Sequence, residues 1–178
     1  NNLVFSSSIQ SDGKIIIGGR FTGYNGTAIN RIARLNANGT LDASFNIGTG
    51  VADNGIMDST VWTTSIQNDG KIIIGGNFTS FNGTATHGIA RLNVNGTFDD
   101  TFNRTGLNDT VYTTCIQNDG KIIIGNYSLS RLNVNGSLDS SFYVAPGLNS
   151  IIFTTSIQSD GKIIMGGRFT AYSETGRN

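Results

Sequence analysis

The chain has 178 residues, which is enough for one ordinary domain with its own core. Twelve basic residues balance twelve acidic ones, so no net charge attracts nucleic acid or an anionic membrane, and we expect neither partner. No segment approaches the roughly 18 consecutive apolar residues of a membrane helix, so membrane insertion is not expected, and the single cysteine excludes an internal disulfide.

The dominant feature of the sequence is an internal repeat. The phrase Ile-Gln-x-Asp-Gly-Lys begins at four positions, Ile9, Ile66, Ile116 and Ile157. A second phrase, Arg-Leu-Asn-x-Asn-Gly, follows three of these copies and begins at Arg34, Arg91 and Arg131. The copies recur at intervals of roughly 40 to 57 residues, which is typical of propeller blades.

The second unit shows the predicted elements in chain order. A β-branched and aromatic segment from Val61 predicts a first strand, and the apolar run 71–74 predicts a second strand that is covered on both faces. Gly75 and Gly76 then indicate a bulge or a close backbone approach. A third strand over 89–93 follows, and a short fourth strand is centred on Phe102.

Two turns separate the strands of each unit. Asp-Gly between two apolar runs predicts a two-residue hairpin loop of type I′, in which both central residues have positive φ. Asn-Gly marks the second turn. The predicted turn residues are Asp12, Gly13, Asp69, Gly70, Asp119, Gly120, Asp160 and Gly161 in the first turn and Asn38, Gly39, Asn95, Gly96, Asn135 and Gly136 in the second.

These elements predict an all-β chain, a β-propeller-type array of four-stranded antiparallel blades. About three and a half blades are present: blade 1 at 1–57, blade 2 at 58–107, blade 3 at 108–148 and a partial blade 4 at 149–178. Because the last unit ends before an Arg-Leu-Asn phrase, we expect the remaining blades of a longer chain, or another subunit, to complete the propeller. Small polar residues in each first strand fit the crowding near a propeller axis.

The repeated phrases resemble the delta-60 repeat, a β-propeller domain of unknown function. The resemblance rests on Ile-Gln-x-Asp-Gly-Lys-Ile, Gly-Gly-x-Phe-Thr, Asn-Gly-Thr, Ile-Ala-Arg-Leu-Asn-x-Asn-Gly and Leu-Asp-x-Ser-Phe, and it covers nearly the whole chain. It implies a role in large secreted or surface proteins of bacteria or in viral and phage proteins, and no catalytic residues. The third unit departs from the pattern, because it keeps one glycine, Gly125, and lacks the Asn-Gly-Thr loop, so we expect a trimmed blade edge there.

Three polar features were weighed as sites and are interpreted structurally. The oxygens of Asn36, Asn38 and Asp42, repeated in the next two units, could suit Ca²⁺, but one carboxylate per loop favours turn chemistry. His87 is the only histidine and is expected in a solvated loop. Cys115 lies in a predicted inner strand and is expected to be a small buried residue. We therefore expect no metal, no cofactor and no catalytic group.

One aromatic residue recurs at the same position of each first strand, in the series Phe5, Trp62, Tyr112 and Phe153. Packing between adjacent blades is the favoured interpretation, and stacking on sugars or peptides is the alternative.

These features lead to two functional hypotheses. The first is a non-catalytic scaffold or interaction module of a larger surface-exposed protein, located on a bacterial cell surface or a phage or virion appendage, with a protein or glycan surface as its partner. The alternative is a lectin-like propeller with a carbohydrate pocket repeated in each blade. An enzyme is not expected, because no acid, base or metal-binding groups recur in a recognisable catalytic arrangement.

Overall fold

The computed structural model describes residues 3–52, 59–103, 109–142 and 148–171. Their regular secondary structure consists of strands, as predicted, and none of these residues forms a helix that could cross a membrane. The strands are β1 (Val4–Ile9), β2 (Ile15–Gly19), β3 (Gly23–Tyr24), β4 (Thr27–Ala28), β5 (Ile32–Leu35), β6 (Val51–Ala52), β7 (Thr60–Ile66), β8 (Ile72–Asn77), β9 (Ser80–Phe81), β10 (Thr84–Ala85), β11 (Ile89–Leu92), β12 (Thr113–Ile116), β13 (Ile122–Gly125), β14 (Leu129–Leu132), β15 (Ile152–Ile157) and β16 (Ile163–Gly167).

The strands form one main antiparallel sheet per repeat and two smaller sheets, β3-β4 and β6-β9-β10. Blade 1 has the order β1-β2-β5, blade 2 the order β7-β8-β11, blade 3 the order β12-β13-β14, and blade 4 contains β15 and β16. The first strands lie side by side, because β1 contacts β7, β7 contacts β12 and β12 contacts β15. The predicted blade boundaries stay predictions, since they fall in or beside segments outside the described residues.

The fourth strand of each blade differs from the prediction. It is reduced to one antiparallel bridge, which joins Leu35 to Leu41, Leu92 to Phe98 and Leu132 to Leu138 in the three blades. In the second blade the bridge therefore lies at Phe98 and not at Phe102. The Phe102 side chain is instead buried in the core between blades 2 and 3. The main sheets of blades 1 to 3 therefore have three continuous strands each.

The Asp-Gly hairpins occur as predicted, but their loop type is different. The Gln10 N–H donates to the Lys14 carbonyl at 2.8 Å, and the Gly13 N–H donates to the Gln10 carbonyl at 2.9 Å. The loop therefore has three residues, and its left-handed residue is Gly13 with a φ of 80°. Asp12 does not adopt positive φ, because its Oδ1 accepts a hydrogen bond from the Lys14 N–H.

The other predicted turns follow the same three-residue pattern, with the glycine as the left-handed residue. These glycines are Gly39, Gly70, Gly96, Gly120, Gly136 and Gly161. Two-residue loops with positive φ at both positions occur instead at Asn25-Gly26, which joins β3 to β4, and at Asn82-Gly83, which joins β9 to β10. In blade 3 the described residues contain no such small hairpin, so the edge is trimmed as the sequence predicts.

The core lies between the blades. Along β8, Ile72 and Ile74 pack in a cluster with blade 1, whereas Ile73 packs in a cluster with blade 3. Successive side chains of a strand point to opposite faces, so a continuous apolar run can fill two interfaces at once. All three isoleucines are fully buried, which confirms the prediction of a strand covered on both faces.

Glycines at the end of the second strand, a pair in blades 1, 2 and 4 and Gly125 alone in blade 3, allow the blades to approach closely. A Cβ atom on Gly75 would lie 2.6 Å from Thr63 Cγ2 and 2.7 Å from Val111 Cγ1 of blade 3. A Cβ atom on Gly76 would collide with the Thr60 carbonyl. The pairing of β7 with β8 also skips a residue between Val61 and Thr63, so both expected features, the bulge and the close approach, are present.

We predict that Gly75→Ala lowers the free energy of unfolding by about 1 to 3 kcal/mol, because the added methyl group overpacks the interface with Val111. The matched control is Gly166→Ala at the equivalent position of blade 4, where a Cβ atom would contact Thr154 Cγ2 alone, at 3.0 Å. Urea denaturation measures both variants. Equal losses in the two variants would contradict the close packing of Gly75 against blade 3.

Candidate functional site

Serine and threonine side chains connect the first strands of neighbouring blades. Ser6 Oγ and Thr64 Oγ1 share a hydrogen bond of 2.9 Å between blades 1 and 2. The same contact recurs between blades 2 and 3 and between blades 3 and 4, as Thr63 Oγ1 to Thr114 Oγ1 at 3.1 Å and Thr113 Oγ1 to Thr155 Oγ1 at 3.0 Å. The small polar residues of the first strands thus join the blades through short hydrogen bonds.

The four recurring aromatic residues form a continuous row across the blades. The ring centroids of Phe5 and Trp62 are 4.4 Å apart, those of Trp62 and Tyr112 are 6.2 Å apart, and those of Tyr112 and Phe153 are 5.6 Å apart. These distances fall in or close to the range of favourable aromatic pairs. We call Phe5, Trp62, Tyr112 and Phe153 the aromatic row.

A β-bulge positions three of the four rings of the row. The strand registers skip Phe5, Trp62 and Phe153, each of which lies opposite the glycine pair of the following strand. A bulge leaves its extra residue outside the ladder and changes the direction of that side chain. The glycine pairs therefore account for both the tight blade contact and the placement of these rings.

The row is accessible at its ends and half-buried in its middle. Phe5 is 38% exposed and Phe153 is 45% exposed, and Trp62 and Tyr112 are half-buried between them. The guanidinium of Arg168 lies 5.6 Å from the centroid of the Phe153 ring. These contacts are those of inter-blade packing, and the exposed rings leave stacking on a ligand as a hypothesis.

Tyr127 adds a further aromatic group beside the row. Its side chain is 58% exposed. Burial raises the pKa of Tyr112, and the neighbouring Tyr127 acts in the same direction. Tyr127 was missed by the sequence analysis, because it lies in the shortened loop of the third unit and has no counterpart in the other repeats.

A second repeated arrangement, a buried ionic cluster, was also missed. Asp99 accepts hydrogen bonds from Lys71 Nζ at 2.8 Å and from Arg91 Nε at 2.7 Å. The first and third blades contain the same cluster, formed by Lys14, Arg34 and Asp42 and by Lys121, Arg131 and Asp139. The signal in the sequence is the constant placement of Lys, Arg and Asp in the repeated phrases, where the same residues also fit turn and strand positions.

The arginine of the cluster also joins one blade to the next. Arg91 lies 4.8 Å from the centroid of the Phe102 ring, and its Nη1 donates to the Val134 carbonyl of blade 3 at 2.6 Å. Arg34 makes the same bond to the Val94 carbonyl of blade 2, also at 2.6 Å. The charged residues of the repeated phrases thus connect strands within a blade and adjacent blades.

The carboxylates of the clusters remain ionised in the folded protein. A hydrogen bond from Ser44 contributes most to lowering the pKa of Asp42 far below its usual value, and Lys14 and Arg34 add to the effect. Burial acts to raise the pKa of Asp99, but bonds from Lys71, Thr101 and Arg91 outweigh it, and the pKa falls far below the usual value. The hydrogen bond from Lys121 contributes most to the same lowering in Asp139.

The oxygen atoms considered as calcium ligands are already bound by protein groups. The Asp42 carboxylate is engaged by Lys14 and Arg34, and Asn38 Oδ1 accepts bonds from the backbone N–H and the hydroxyl of Thr40. Across the described residues no three His, Cys, Asp or Glu side chains come together as metal ligands do. The Asn-x-Asn-Gly segments are therefore interpreted as turns.

The two isolated candidates lie in the elements that the sequence predicts. His87 is exposed in the loop between β10 and β11. Cys115 lies in the inner strand β12, but it is half-buried and not buried as expected. Partial burial raises the pKa of its thiol, which disfavours the reactive thiolate.

We predict that Asp99→Asn lowers the free energy of unfolding by about 3 kcal/mol, because it leaves Lys71 and Arg91 without a charged partner at a buried site. Asparagine can keep the bond from the Thr101 N–H, so the turn is preserved. The matched control is Asp160→Asn in the exposed pair with Lys162, where the loss should be much smaller.

The same variant has a pH signature. Because the pKa of Asp99 is lowered on folding, its contribution is present above the unfolded pKa of about 3.9 and is lost as the pH falls below that value. Thermal melts between pH 6 and pH 2 should therefore show a smaller acid-induced loss of stability in Asp99→Asn than in the parent chain. Identical pH dependence in both proteins would contradict the ionised cluster.

The fold and the comparison with known protein families together identify the class of protein. Stacked antiparallel sheets, one per repeat and joined through their inner strands, are the architecture of a β-propeller. The family model that matches the sequence is described as a domain of unknown function (DUF5122), beta-propeller, and it covers residues 10–45, 67–102, 117–142 and 158–178. The chain therefore belongs to this β-propeller family. No curated protein is similar enough to count as a match.

Many solved structures are similar to the chain, and two of them are described here. The extracellular domain of a protein from B. thetaiotaomicron described as a one-component system has a TM-score of 0.52 and 17% identity, and the match covers 96% of this chain and 21% of that one. Virginiamycin B lyase from Staphylococcus aureus has a TM-score of 0.48 and 15% identity, with 93% of this chain and 57% of that chain covered. The chain thus spans about a fifth of the first protein and just over half of the second. The first likeness shows the fold alone.

Proposed function

We propose that this chain is a non-catalytic scaffold or interaction module of a larger protein that is exposed on a bacterial cell surface or on a phage or virion appendage. We further propose that its repeat is of the delta-60 type. The partner is a protein or glycan surface, and the module is not an enzyme.

The observation that supports this proposal is that the repeated charged groups form structural ion pairs and hydrogen bonds. In blades 1 to 3 the lysine, arginine and aspartate of the repeated phrases bind one another. In blades 1 and 2 the arginine also binds the next blade. Such groups maintain a rigid frame and do not converge on one reacting centre, as catalysis requires. A rigid frame with variable loops is the arrangement that scaffold and interaction modules use.

The aromatic row is the surface on which a partner would dock. It crosses four blades without interruption and exposes rings at both ends. A continuous row fits an extended partner better than it fits separate sugar pockets in each blade, so the geometry favours the interaction module over the lectin-like alternative. The exposed Tyr127 and the Arg168 guanidinium add polar groups at its border.

Trp62 should also contribute to stability, because it touches a ring on each side. We predict that Trp62→Ala lowers the free energy of unfolding by at least about 1 kcal/mol, since each aromatic pair contributes about 0.5 to 1.5 kcal/mol beyond area burial. Tyr127→Ala is the control, because that ring is mostly exposed, and its effect should be smaller. Chemical denaturation separates the two, and a Trp62→Ala variant as stable as the parent would contradict packing through the row.

The functional alternatives are separated by binding to glycans. Trp62 is the only tryptophan of the chain, so its fluorescence reports directly on the aromatic row. We expect no saturable change of Trp62 emission on titration with short soluble oligosaccharides, which a pocket within one blade would bind but which are too short to follow the row. A saturable change with one such oligosaccharide, lost in Tyr112→Ala, would overturn the scaffold proposal in favour of the lectin-like module.

A further inference from the structure

The small hairpins of blades 1 and 2 cover the outer edge of their own sheets. In blade 1 the Tyr24 hydroxyl of β3 donates a hydrogen bond to the Gly39 carbonyl at 2.7 Å, and Tyr24 and Leu41 pack against the same apolar cluster. In blade 2 the Phe81 ring of β9 is fully buried and stacks on Phe98, with the ring centroids 6.1 Å apart. An aromatic residue therefore anchors each hairpin beside the residue that forms the outer bridge of the sheet.

The same edge is open in blade 3, where residues 126–128 alone join β13 to β14. Leu138, which forms the outer bridge of this blade, is 52% exposed, whereas its counterparts in blades 1 and 2 are half-buried. Ser130 of β14 is half-buried, whereas the alanines at its position in blades 1 and 2 are buried. The Gly136 carbonyl stands at the position of the carbonyl that accepts the tyrosine bond in blade 1. We call Ser130, Gly136 and Leu138 the blade 3 notch.

The notch results from the shortened loop inside the third unit. The inner strand of blade 3 contacts those of blades 2 and 4, so a blade flanks it on either side. Phe98, the counterpart of Leu138 in blade 2, packs against the core cluster that blades 1 and 2 share, which is the side of the preceding blade. By the same placement Leu138 faces blade 2, so its exposure does not depend on a blade that follows.

We propose that the blade 3 notch binds a β-hairpin of a partner protein that carries an aromatic residue at the position of Tyr24. The ring packs on Leu138, a tyrosine hydroxyl donates to the Gly136 carbonyl, and the hairpin covers Ser130. The chemistry of the occupant follows from the two equivalent edges of this chain, each of which is covered by a hairpin with an aromatic anchor. A single buried aromatic ring is a frequent source of binding energy at protein interfaces.

The partner is a different protein, because both hairpins of this chain are already docked. The hydrogen bond from Tyr24 to Gly39 holds β3-β4, while β9-β10 pairs with β6 and buries Phe81. Transfer of either hairpin to a second copy would open its own sheet edge and gain no contact. The notch lies at the outer strand and the aromatic row at the inner strands, so this inference is independent of the row.

Nuclear magnetic resonance of the isotope-labelled chain tests the proposal with a probe taken from the chain itself. The probe is a backbone-cyclised peptide with the sequence of residues 21–30, which contains β3, β4 and Tyr24. We expect saturable shifts of the backbone amides of Ser130, Gly136 and Leu138. The same peptide with Tyr24→Ala should bind more weakly by about tenfold or more, because it lacks the anchor.

Variants of the chain show whether binding occurs at the notch. Leu138→Asp should abolish the shifts, because the ring would bury a carboxylate without a partner. The matched control is Val94→Asp at another exposed apolar residue, in the second turn of blade 2, where the edge is already covered, and it should bind the peptide as the parent does. The amide spectrum shows that each variant is folded, and Leu138→Ala, which adds no charge, should weaken binding.

Three results would overturn the proposal. The first is the absence of shifts at the notch up to the solubility limit of the peptide. The second is a set of shifts that persists unchanged in Leu138→Asp. The third is a parent chain that sediments as a dimer while Leu138→Asp sediments as a monomer, because that result assigns the notch to a second copy.

Discussion

The packing of a branched side chain over a glycine of the preceding blade is the contact on which the rest of the structure depends. A three-stranded sheet cannot bury both of its faces alone, so each blade is stable only against its neighbours. Because Gly75 has no side chain, Val111 can approach the backbone of blade 2 and the two sheets close over their isoleucines. The apolar core is therefore a property of the interfaces and not of single blades.

The same glycine pairs determine where the candidate binding surface lies. Gly75 and Gly76 oppose the skipped residue of β7, and the resulting bulge places Trp62 in the aromatic row. The row and the core consequently depend on one local feature of the backbone. A change that disturbs the bulge should affect stability and the position of the rings together.

The ionic clusters fix the orientation of neighbouring blades, whose shared core is largely isoleucine. Burying Asp99 with Lys71 and Arg91 costs desolvation energy, which hydrogen bonds and the contact of Arg91 with Phe102 offset. Because Arg91 also reaches the Val134 carbonyl, the cluster relates the second turn of one blade to the strands of the previous one. This link is directional, which apolar contacts are not.

The sequence alone determined the repeat, the all-β class, the hairpin positions and the buried second strands, because alternation, apolar runs and turn residues act over a few neighbouring positions. The type of the Asp12-Gly13 loop was mispredicted, since the Asp12 carboxylate accepts a hydrogen bond from the Lys14 N–H and only Gly13 has positive φ. Only the tertiary structure brought Asp99 to Lys71 and aligned Trp62 with Phe5, because these contacts join residues far apart in the chain. Their geometry depends on how blades stack, which no local pattern encodes.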